Sequence, residues 1–287
     1  MTTLTGTDSL LTELHSTILD RLGQEARLLR LERAVLGIFF TGVKLNNGAG
    51  GLCATPVKSA PQAVCCSGSA TTMPTPGKIA GCLALQVLDD LYRQPDLRRA
   101  LAVATLNALA ETLWRRDGPP ASAELLAGDA FAALRMAPNQ RVALVGAFPP
   151  YLRELRRRGQ PFTVLELDAT TLKLEELPYY LPADRAPDVI PKADVFITTG
   201  TSLSNSSLDG MLRLLRPGVE AAVIGPTTTL IAEPYARRGV TVLGGTRVLA
   251  PDELLDLLAE GGSGYHFFGK TVARVTLRLT TPGGAAQ

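Results

Sequence analysis

The hydrophobic positions in the first part of the chain change from a helical to an extended spacing. Leucine and isoleucine recur every three or four residues at Leu11, Leu14, Ile18 and Leu22. This spacing predicts an amphipathic helix, for which Asp8 can serve as the N-terminal cap. Residues 34–44 predict one strand, and residues 52–57 predict a second that returns after the turn at 45–51. That turn contains Asn-Gly and Gly-Gly pairs, which favour positive φ.

The rest of this part completes a small α+β pattern. Residues 63–66 predict a third short strand, and residues 67–77 predict a loop rich in Ser, Thr, Pro and Gly. Two helices are predicted around 83–91 and 101–113, where leucines and alanines repeat at helical spacing. Strands followed by helices indicate an α+β domain over residues 1–120, which ends at the Pro/Gly-rich run 117–121.

The second part of the chain, residues 121–287, has a different rhythm, in which short apolar strands alternate with helices. The predicted strands are 142–145, 162–167, 195–199, 221–224 and 240–243, and the predicted helices are 149–158, 208–215, 231–237 and 252–259. Such alternation predicts an α/β domain with a parallel sheet covered on both faces. Residues 271–279 alternate between apolar and polar positions, which favours an edge strand or one that returns to the first domain.

Composition and charge narrow the class of protein. The chain is 46% hydrophobic and 20% charged, which suits a folded protein with a sizeable core. Its net charge of +2 gives no support to a nucleic-acid partner or an anionic membrane surface. No apolar run approaches the roughly 20 residues of a membrane helix, and the N-terminus shows no leader pattern. We therefore expect a cytoplasmic protein with reduced thiols, and self-association into a homo-oligomer is left open.

Three predicted strands run directly into loops rich in glycine and hydroxyl groups. Their candidate ligand-binding residues are Gly146, Phe148, Thr199, Gly200, Thr201, Asn205, Gly225, Pro226 and Thr227. In a parallel sheet these loops share one edge, which is where ligands of open α/β sheets bind. Glycine admits close backbone approach, and Thr, Ser and Asn supply uncharged donors and acceptors. The alternative is that these are ordinary turns, with Ser204 or Asn205 capping the following helix.

A nucleoside cofactor is an alternative ligand of this edge. Glu166 and Asp168 lie at the end of the second predicted strand, about where dinucleotide-binding enzymes hold a ribose. The first loop, however, is not G-x-G-x-x-G, because Phe148 and two prolines follow Gly146. Residues 264–271 formally match G-x-x-x-x-G-K-[ST], but they leave a predicted helix and enter a β pattern. That context and the bulky Tyr-His-Phe-Phe interior argue against a phosphate loop.

The four cysteines all lie in the first part of the chain, at Cys53, Cys65, Cys66 and Cys82. Without a C-x-x-C pair they do not have zinc-ribbon spacing. They are expected to be small buried hydrophobes. The alternative is that Cys53, Cys65 and Cys66 offer thiolates to a transition metal such as copper, zinc or nickel.

Several segments together resemble one family. They are the hairpin 41–44 with its Gly-rich turn 47–51, the helix 101–109, the Thr-Gly-x-x-x-x-Asn stretch 199–205, and the segments 224–228 and 243–248. In this order and spacing they are similar to the putative heavy-metal chelation family, a former domain of unknown function. The resemblance implies a domain like the enolase N-terminal fold, followed by a Rossmann-like domain, with a ligand site in the cleft between them.

Carried over position by position, the resemblance implies a cleft lined by Thr41, Asn47, Gly48, Thr199, Gly200, Thr201, Asn205, Gly225, Pro226 and Thr227. Thr229 stands where the family more usually has proline, so we expect a looser loop after Gly225. We expect Lys44 to complement an anionic ligand, and Glu166 or Asp168 to act as a polar anchor or proton acceptor. The expected function is binding of a small metal-chelating molecule or a metal complex. The alternatives are a nucleoside-dependent enzyme and a cysteine-based metal-handling protein.

Overall fold

The computed structural model describes residues 9–57 and 74–280. The helices in these residues are α1 (Ser9–Leu22), α2 (Ala84–Leu88), α3 (Leu97–Asp117), α4 (Pro149–Arg157), α5 (Ala186–Val189), α6 (Thr201–Ser204), α7 (Leu208–Leu212), α8 (Ala232–Ala236), α9 (Pro251–Ala259) and α10 (Gly264–Phe267). The strands are β1 (Leu31–Leu36), β2 (Phe40–Leu45), β3 (Gly50–Ala54), β4 (Ala123–Leu126), β5 (Val142–Val145), β6 (Phe162–Glu166), β7 (Tyr180–Pro182), β8 (Val195–Thr199), β9 (Glu220–Ile224), β10 (Val242–Val248) and β11 (Val272–Leu279). None of the described helices has both the length and the apolar character to cross a membrane.

The first three strands form an antiparallel meander in the order β1-β2-β3. The turn between β2 and β3 is confirmed, with Gly48 at φ +79°. The single strand predicted over 34–44 is wrong, because the chain turns between β1 and β2, where the Gly37 amide donates to the Phe40 carbonyl at 3.1 Å. The continuous apolar run hides this turn, which leaves Ile38 61% exposed and Phe39 51% exposed. Asp8 and the predicted strand 63–66 lie outside the described residues.

Helix α3 packs against this small sheet and supplies much of its core. Most of its residues are buried, from Leu97 to Leu113. Asp96 caps its start by accepting from the Arg99 amide at 2.8 Å, and Gly118 ends it at φ +82°. Strand and helix lie so close that a Cβ atom on Gly51 would stand 2.1 Å from the Ala104 carbonyl oxygen. Glycine at this position therefore allows direct contact between the two backbones.

The second part of the chain builds one large sheet in the order β4-β11-β10-β9-β8-β5-β6-β7. The six strands from β10 to β7 in this order are parallel. Five of them correspond to the strands predicted for a parallel sheet, and β7 was not predicted. Strands β5, β6 and β7 extend in one direction from the centre, and β8, β9 and β10 extend in the other. The strand order therefore reverses between β5 and β8, which makes their junction the topological switch point of the sheet.

The prediction that the last strand is an edge strand or returns to the first domain is wrong. Strand β11 pairs antiparallel with β10 on one side and with β4 on the other. The prediction failed because β4 was not recognised: it has only four residues, and Leu125 within it is 54% exposed. Such a strand has no buried face to mark it, so its pairing with β11 determines its conformation.

The small sheet lies between α3 and α9, a helix from the second part of the chain. A Cβ atom on Gly42 would stand 2.6 Å from Leu258 Cδ1. Because glycine has no side chain, the backbone of β2 packs directly against Leu258 of α9 at this position. Leu52 of β3 belongs to the same apolar cluster as Leu255 and Leu258. The two parts of the chain thus share an extensive interface. The domain boundary near residue 120 stays a prediction, with α3 ending at Asp117 and β4 beginning at Ala123.

Candidate functional site

The three glycine- and hydroxyl-rich loops follow β5, β8 and β9, which are neighbouring parallel strands, and so leave the sheet at one edge. A Cβ atom on Gly146 would stand 3.1 Å from Thr199 Cγ2, and one on Gly225 would stand 3.4 Å from the Gly200 amide nitrogen. The loops are therefore in direct contact at the switch point. Their half-buried residues are Gly146, Phe148, Thr199, Thr201, Gly225 and Pro226, which we call the strand-end site.

The loop after β5 is held by the carboxylate of Glu166. One oxygen of this group accepts from the Ala147 amide at 2.9 Å and the other from the Leu167 amide at 2.8 Å. Gly146 adopts φ +94°, and its amide donates to the Leu165 carbonyl at 2.9 Å. Glu166 therefore fixes the loop rather than presenting an unused carboxylate to a ligand. Its expected role as polar anchor or proton acceptor stays a prediction, and these contacts do not favour it.

Asp168 lies just beyond Glu166 and organises a short 3₁₀ turn. Its carboxylate accepts from the Thr170 amide at 2.9 Å and from the Thr170 hydroxyl at 2.6 Å. This is a capping arrangement, in which the aspartate side chain accepts from an amide of the turn that follows it. A role in holding a ribose would require these contacts to be exchanged for contacts with the ligand.

The loop after β8 presents its hydroxyl groups at the strand-end site. Thr199 Oγ1 accepts from the Thr201 amide at 3.3 Å and donates to Thr201 Oγ1 at 3.2 Å. Both side chains are half-buried. Asn205 is used differently, because its Oδ1 atom accepts from the Ser207 amide at 3.1 Å and the Ser207 hydroxyl at 2.6 Å. Asn205 therefore organises the turn that precedes α7.

The loop after β9 joins the two parts of the chain. Thr227 Oγ1 accepts from the Ala54 amide of β3 at 2.9 Å, and the Thr229 hydroxyl donates to Asn107 Oδ1 at 2.6 Å. Both threonines are 1% exposed. The expectation of a looser loop at Thr229 is therefore wrong, since its hydroxyl ties the loop to α3. Thr227 is likewise a structural contact with the small sheet.

Thr228 in the same loop is buried and has an unused hydroxyl. It is 2% exposed, and its Oγ1 atom has no hydrogen-bond partner. A Cβ atom on Gly200 would stand 2.5 Å from this oxygen, so Gly200 leaves room for it. An unsatisfied buried hydroxyl is costly, and this one lies against a residue adjoining the strand-end site.

Asn107 was not among the predicted site residues, although it connects the two parts of the chain. Its Nδ2 group donates to the Leu52 carbonyl at 2.7 Å and to the Thr227 carbonyl at 3.2 Å, and its Oδ1 atom accepts from Thr229. One side chain thus connects α3, β3 and the loop after β9. A polar amide inside the apolar stretch 100–113 was the sequence signal that could have found it.

The predicted residues of the small sheet are engaged in structural contacts. Thr41 is completely buried and shares a 3.0 Å hydrogen bond with the Thr55 hydroxyl. The Lys44 ammonium group lies 2.7 Å from both Glu32 and Asp252, so it is paired with carboxylates of β1 and α9. These hydrogen bonds and charges raise the pKa of Lys44. The expectation that Lys44 complements an anionic ligand gains no support from this pairing.

The turn residues Asn47 and Gly48 lie toward the C-terminal end of α3, beyond Asn107. Asn47 Nδ2 donates to the Thr112 hydroxyl at 3.0 Å, and Arg115 donates to the Asn47 carbonyl at 3.1 Å. Gly48 supplies the positive φ of the turn. Their contacts anchor the hairpin to the helix, and none of the contacts described for them involves the strand-end site.

Cys53 is a buried thiol at the interface between the two parts of the chain. Burial raises its pKa to about 12, against smaller opposing effects of the Thr227 and Ser204 hydroxyls and the Arg99 charge. The neutral thiol is a poor metal ligand, because metals bind the thiolate. Cys65 and Cys66 lie outside the described residues. Residues 9–57 and 74–280 contain no group of three or more His, Cys, Asp or Glu side chains able to hold a metal ion.

The formal phosphate-loop match at 264–271 does not have the expected structural context. Gly264–Phe267 form the single turn α10, after which the chain enters β11. Ser263 precedes this turn, and its amide donates to His266 Nδ1 at 3.0 Å. A phosphate loop connects a strand to the N-terminus of a helix, an order that this segment reverses.

Comparison with known proteins assigns both parts of the chain to family models. A model named DUF364 and described as "Putative heavy-metal chelation" matches residues 129–277, and a second, DUF4213, with the same description, matches residues 19–110. No curated protein matches the chain.

Two solved structures share the fold over nearly the whole chain. One is a DUF364 protein of unknown function from Pyrococcus horikoshii, with a TM-score of 0.73 and 19% identity over 94% of this chain and 100% of that one. The other is a DUF364 protein of unknown function from Desulfitobacterium hafniense DCB-2, with a TM-score of 0.70 and 16% identity over 93% and 98%. At these identities the likeness shows the fold alone.

Proposed function

We propose that the strand-end site binds a small metal-chelating molecule or the corresponding metal complex, because this chain belongs to the DUF364 family, which is described as putative heavy-metal chelation. The observation that carries the proposal is the contact between Gly146 and Thr199 at the switch point, where a Cβ atom on the glycine would stand 3.1 Å from Thr199 Cγ2. Ligands of open α/β sheets bind outside the carboxyl ends of the strands at this point.

The chemistry of the site suits a ligand that brings its own metal donors. The strand-end residues offer hydroxyl groups, backbone groups and one aromatic ring, and none of their side chains is ionisable. A bare divalent cation needs several carboxylates, imidazoles or thiolates, and no such group of three exists in the described residues. A chelate presents oxygen atoms to its surroundings, and hydroxyl groups can donate to them.

The direct test removes the two hydroxyl groups of the site while keeping the shape of the side chains. The probe is the zinc complex of nitrilotriacetate, an anionic chelate, and its binding is measured by titration calorimetry. We expect the double variant Thr199→Val/Thr201→Val to bind about tenfold more weakly than the unchanged protein, which corresponds to the loss of about one hydrogen bond to a charged ligand.

A matched control changes a threonine at the opposite edge of the sheet. Thr241 precedes β10, and its hydroxyl donates to the Ala221 carbonyl at 3.1 Å near the amino ends of the strands. We expect Thr241→Val to bind the chelate as the unchanged protein does. Equal affinities for all three proteins, or no binding to the unchanged protein, would contradict the proposal.

A second candidate function is that of a nucleoside-dependent enzyme, which the strand order favours. The six parallel strands follow the 3-2-1-4-5-6 order of dinucleotide-binding sheets. Against it, Pro149 and Pro150 remove two backbone donors after Gly146, and Glu166 is engaged with amides. A thermal-shift comparison of NAD, NADP, S-adenosylmethionine and ATP with the zinc chelate separates the two. If one of these nucleoside compounds stabilises the protein and the zinc chelate does not, the nucleoside-dependent enzyme becomes the preferred function.

A further inference from the structure

Three aromatic rings form a continuous stack that ends at the strand-end site. The centroids of Phe131 and Tyr151 lie 4.7 Å apart at 27°, and those of Tyr151 and Phe148 lie 5.0 Å apart at 20°. Phe131 is 5% exposed and Tyr151 is 8% exposed, whereas Phe148 is only partly buried. The first two rings thus belong to the core, and the third is the end of the stack.

The backbone that carries Phe148 is fixed on both sides. Before it, the Ala147 amide is bound to Glu166 at 2.9 Å. After it, Pro149 and Pro150 begin α4, and the Phe148 carbonyl accepts from the Leu152 amide at 2.9 Å. A ring held in this way loses little conformational freedom when a ligand binds, which favours its use as a binding surface.

The end of the stack lies beside the glycine and threonine at the centre of the strand-end site. A Cβ atom on Gly146 would stand 3.9 Å from Phe148 Cε2 and 3.1 Å from Thr199 Cγ2, so ring and threonine flank the same point. Glycine at 146 allows the ring and the threonine side chain to approach the backbone this closely. The Phe148 ring and the methyl group of Thr199 therefore border the same part of the strand-end site.

We infer that Phe148 is a stacking platform, and that the chelator bound at this site carries a planar aromatic ring. The inference rests on the proposed function, because it names the ligand class of the same site. Planar rings stack on aromatic side chains in near-parallel, offset arrangements, which is the arrangement already present within the stack. Since the strand-end side chains carry no charge, ring stacking supplies affinity that ion pairs do not.

The test compares two anionic zinc chelates that differ in the presence of a ring. One is the zinc complex with two molecules of 8-hydroxyquinoline-5-sulfonate, whose ligands are planar and aromatic, and the other is the zinc complex of nitrilotriacetate, which is aliphatic. We expect Phe148→Leu to weaken binding of the aromatic chelate about tenfold, as removal of one stacking partner does, and to change binding of the aliphatic chelate less than twofold.

Two further variants guard against a merely structural effect. Phe148→Trp retains a planar ring and should restore binding of the aromatic chelate. Tyr265→Leu removes a ring that is 94% exposed elsewhere on the molecule and should leave both affinities unchanged. Thermal unfolding of each variant shows whether the fold is retained.

The outcomes separate this inference from the proposed function. If Phe148→Leu weakens the binding of both chelates equally, or changes the binding of neither, Phe148 is not a stacking platform. If Thr199→Val/Thr201→Val still weakens the binding of both chelates, the proposal that they bind at the strand-end site stands. If the aliphatic chelate binds and the aromatic one does not, only the platform fails. If neither chelate binds the unchanged protein, both proposals fail.

Discussion

A single asparagine connects the two parts of the chain where α3, β3 and the loop after β9 meet. Asn107 makes three hydrogen bonds, to the Leu52 carbonyl, the Thr227 carbonyl and the Thr229 hydroxyl. Its partners belong to β3 and the loop after β9, so α3 holds both in fixed positions. Because Thr227 and Thr229 are buried, water cannot replace the amide without rearrangement. The position of the loop next to the strand-end site therefore depends on this residue.

Truncation of Asn107 is expected to destabilise the fold strongly. Asn107→Ala leaves two carbonyl oxygens and one hydroxyl group without their partner, and we expect the free energy of unfolding to fall by about 3 kcal/mol. Asn205→Ala is the control, since Asn205 is half-buried and its hydrogen bonds to described residues lie within its own turn, and it should cost about 1 kcal/mol. Urea denaturation measures both. If both variants lose a similarly small amount of unfolding free energy, Asn107 does not hold the two parts of the chain together.

Among the elements, α1 is held to the second part of the chain by a network of charges. Arg238 donates to Asp209 at 3.0 Å, to Ser9 at 3.1 Å and to Glu13. Burial alone would raise the pKa of Glu13, but hydrogen bonds from Arg238 and Arg237 lower it below its ordinary value. Asp209 behaves similarly, because hydrogen bonds from Ser9 and Arg238 outweigh its burial and lower its pKa.

This network is expected to make the attachment of α1 sensitive to acid. Groups with a lowered pKa in the folded state stabilise the protein above their ordinary pKa, and the contribution is lost as the pH falls through the folded value. We expect Arg238→Gln to reduce the free energy of unfolding by about 2 kcal/mol at neutral pH, and this difference to shrink below about pH 4.

The control for this network is an exposed ion pair. Arg185 pairs with Asp188 at 2.6 Å, but both side chains are more than half exposed, so Arg185→Gln should change the free energy of unfolding by about 0.5 kcal/mol or less. Urea denaturation at several pH values measures both variants. A cost of Arg238→Gln that stays constant down to acid pH would contradict the role given to the carboxylates.

The elements that could be predicted from the sequence are those with a strong pattern of their own. Helices α1 and α3 and all the parallel strands except β7 have apolar patterns that identify them. The turn at Gly37 and the strand β4 could not be predicted, because their conformation comes from pairing with other strands. Gly51 illustrates a related limit: the sequence placed it in a turn, and only the structure shows that it lies in β3 with α3 directly against it.

At the scale of the whole molecule, the edge of the sheet that carries the strand-end site follows from topology. Parallel strands end at a common edge, so the placement of Gly146 and Thr199 at one edge was predictable. Their contact depends on the pairing of β5 with β8, which the sequence did not indicate. The contacts of Lys44 and Glu166 could not be predicted from the sequence, because their partners are set by the tertiary fold. Lys44 pairs with Asp252, which lies 208 positions away along the chain. Binding at the strand-end site remains a proposal.

The most direct test of the central claim locates the ligand on the folded protein. Hydrogen exchange followed by mass spectrometry is compared with and without the zinc complex of nitrilotriacetate. We predict slower amide exchange in residues 146–148 and 200–204, and unchanged exchange in residues 239–241, which lie at the opposite edge of the sheet. Protection confined to that opposite edge, or no protection of residues 146–148 and 200–204 at saturating chelate, would contradict the account.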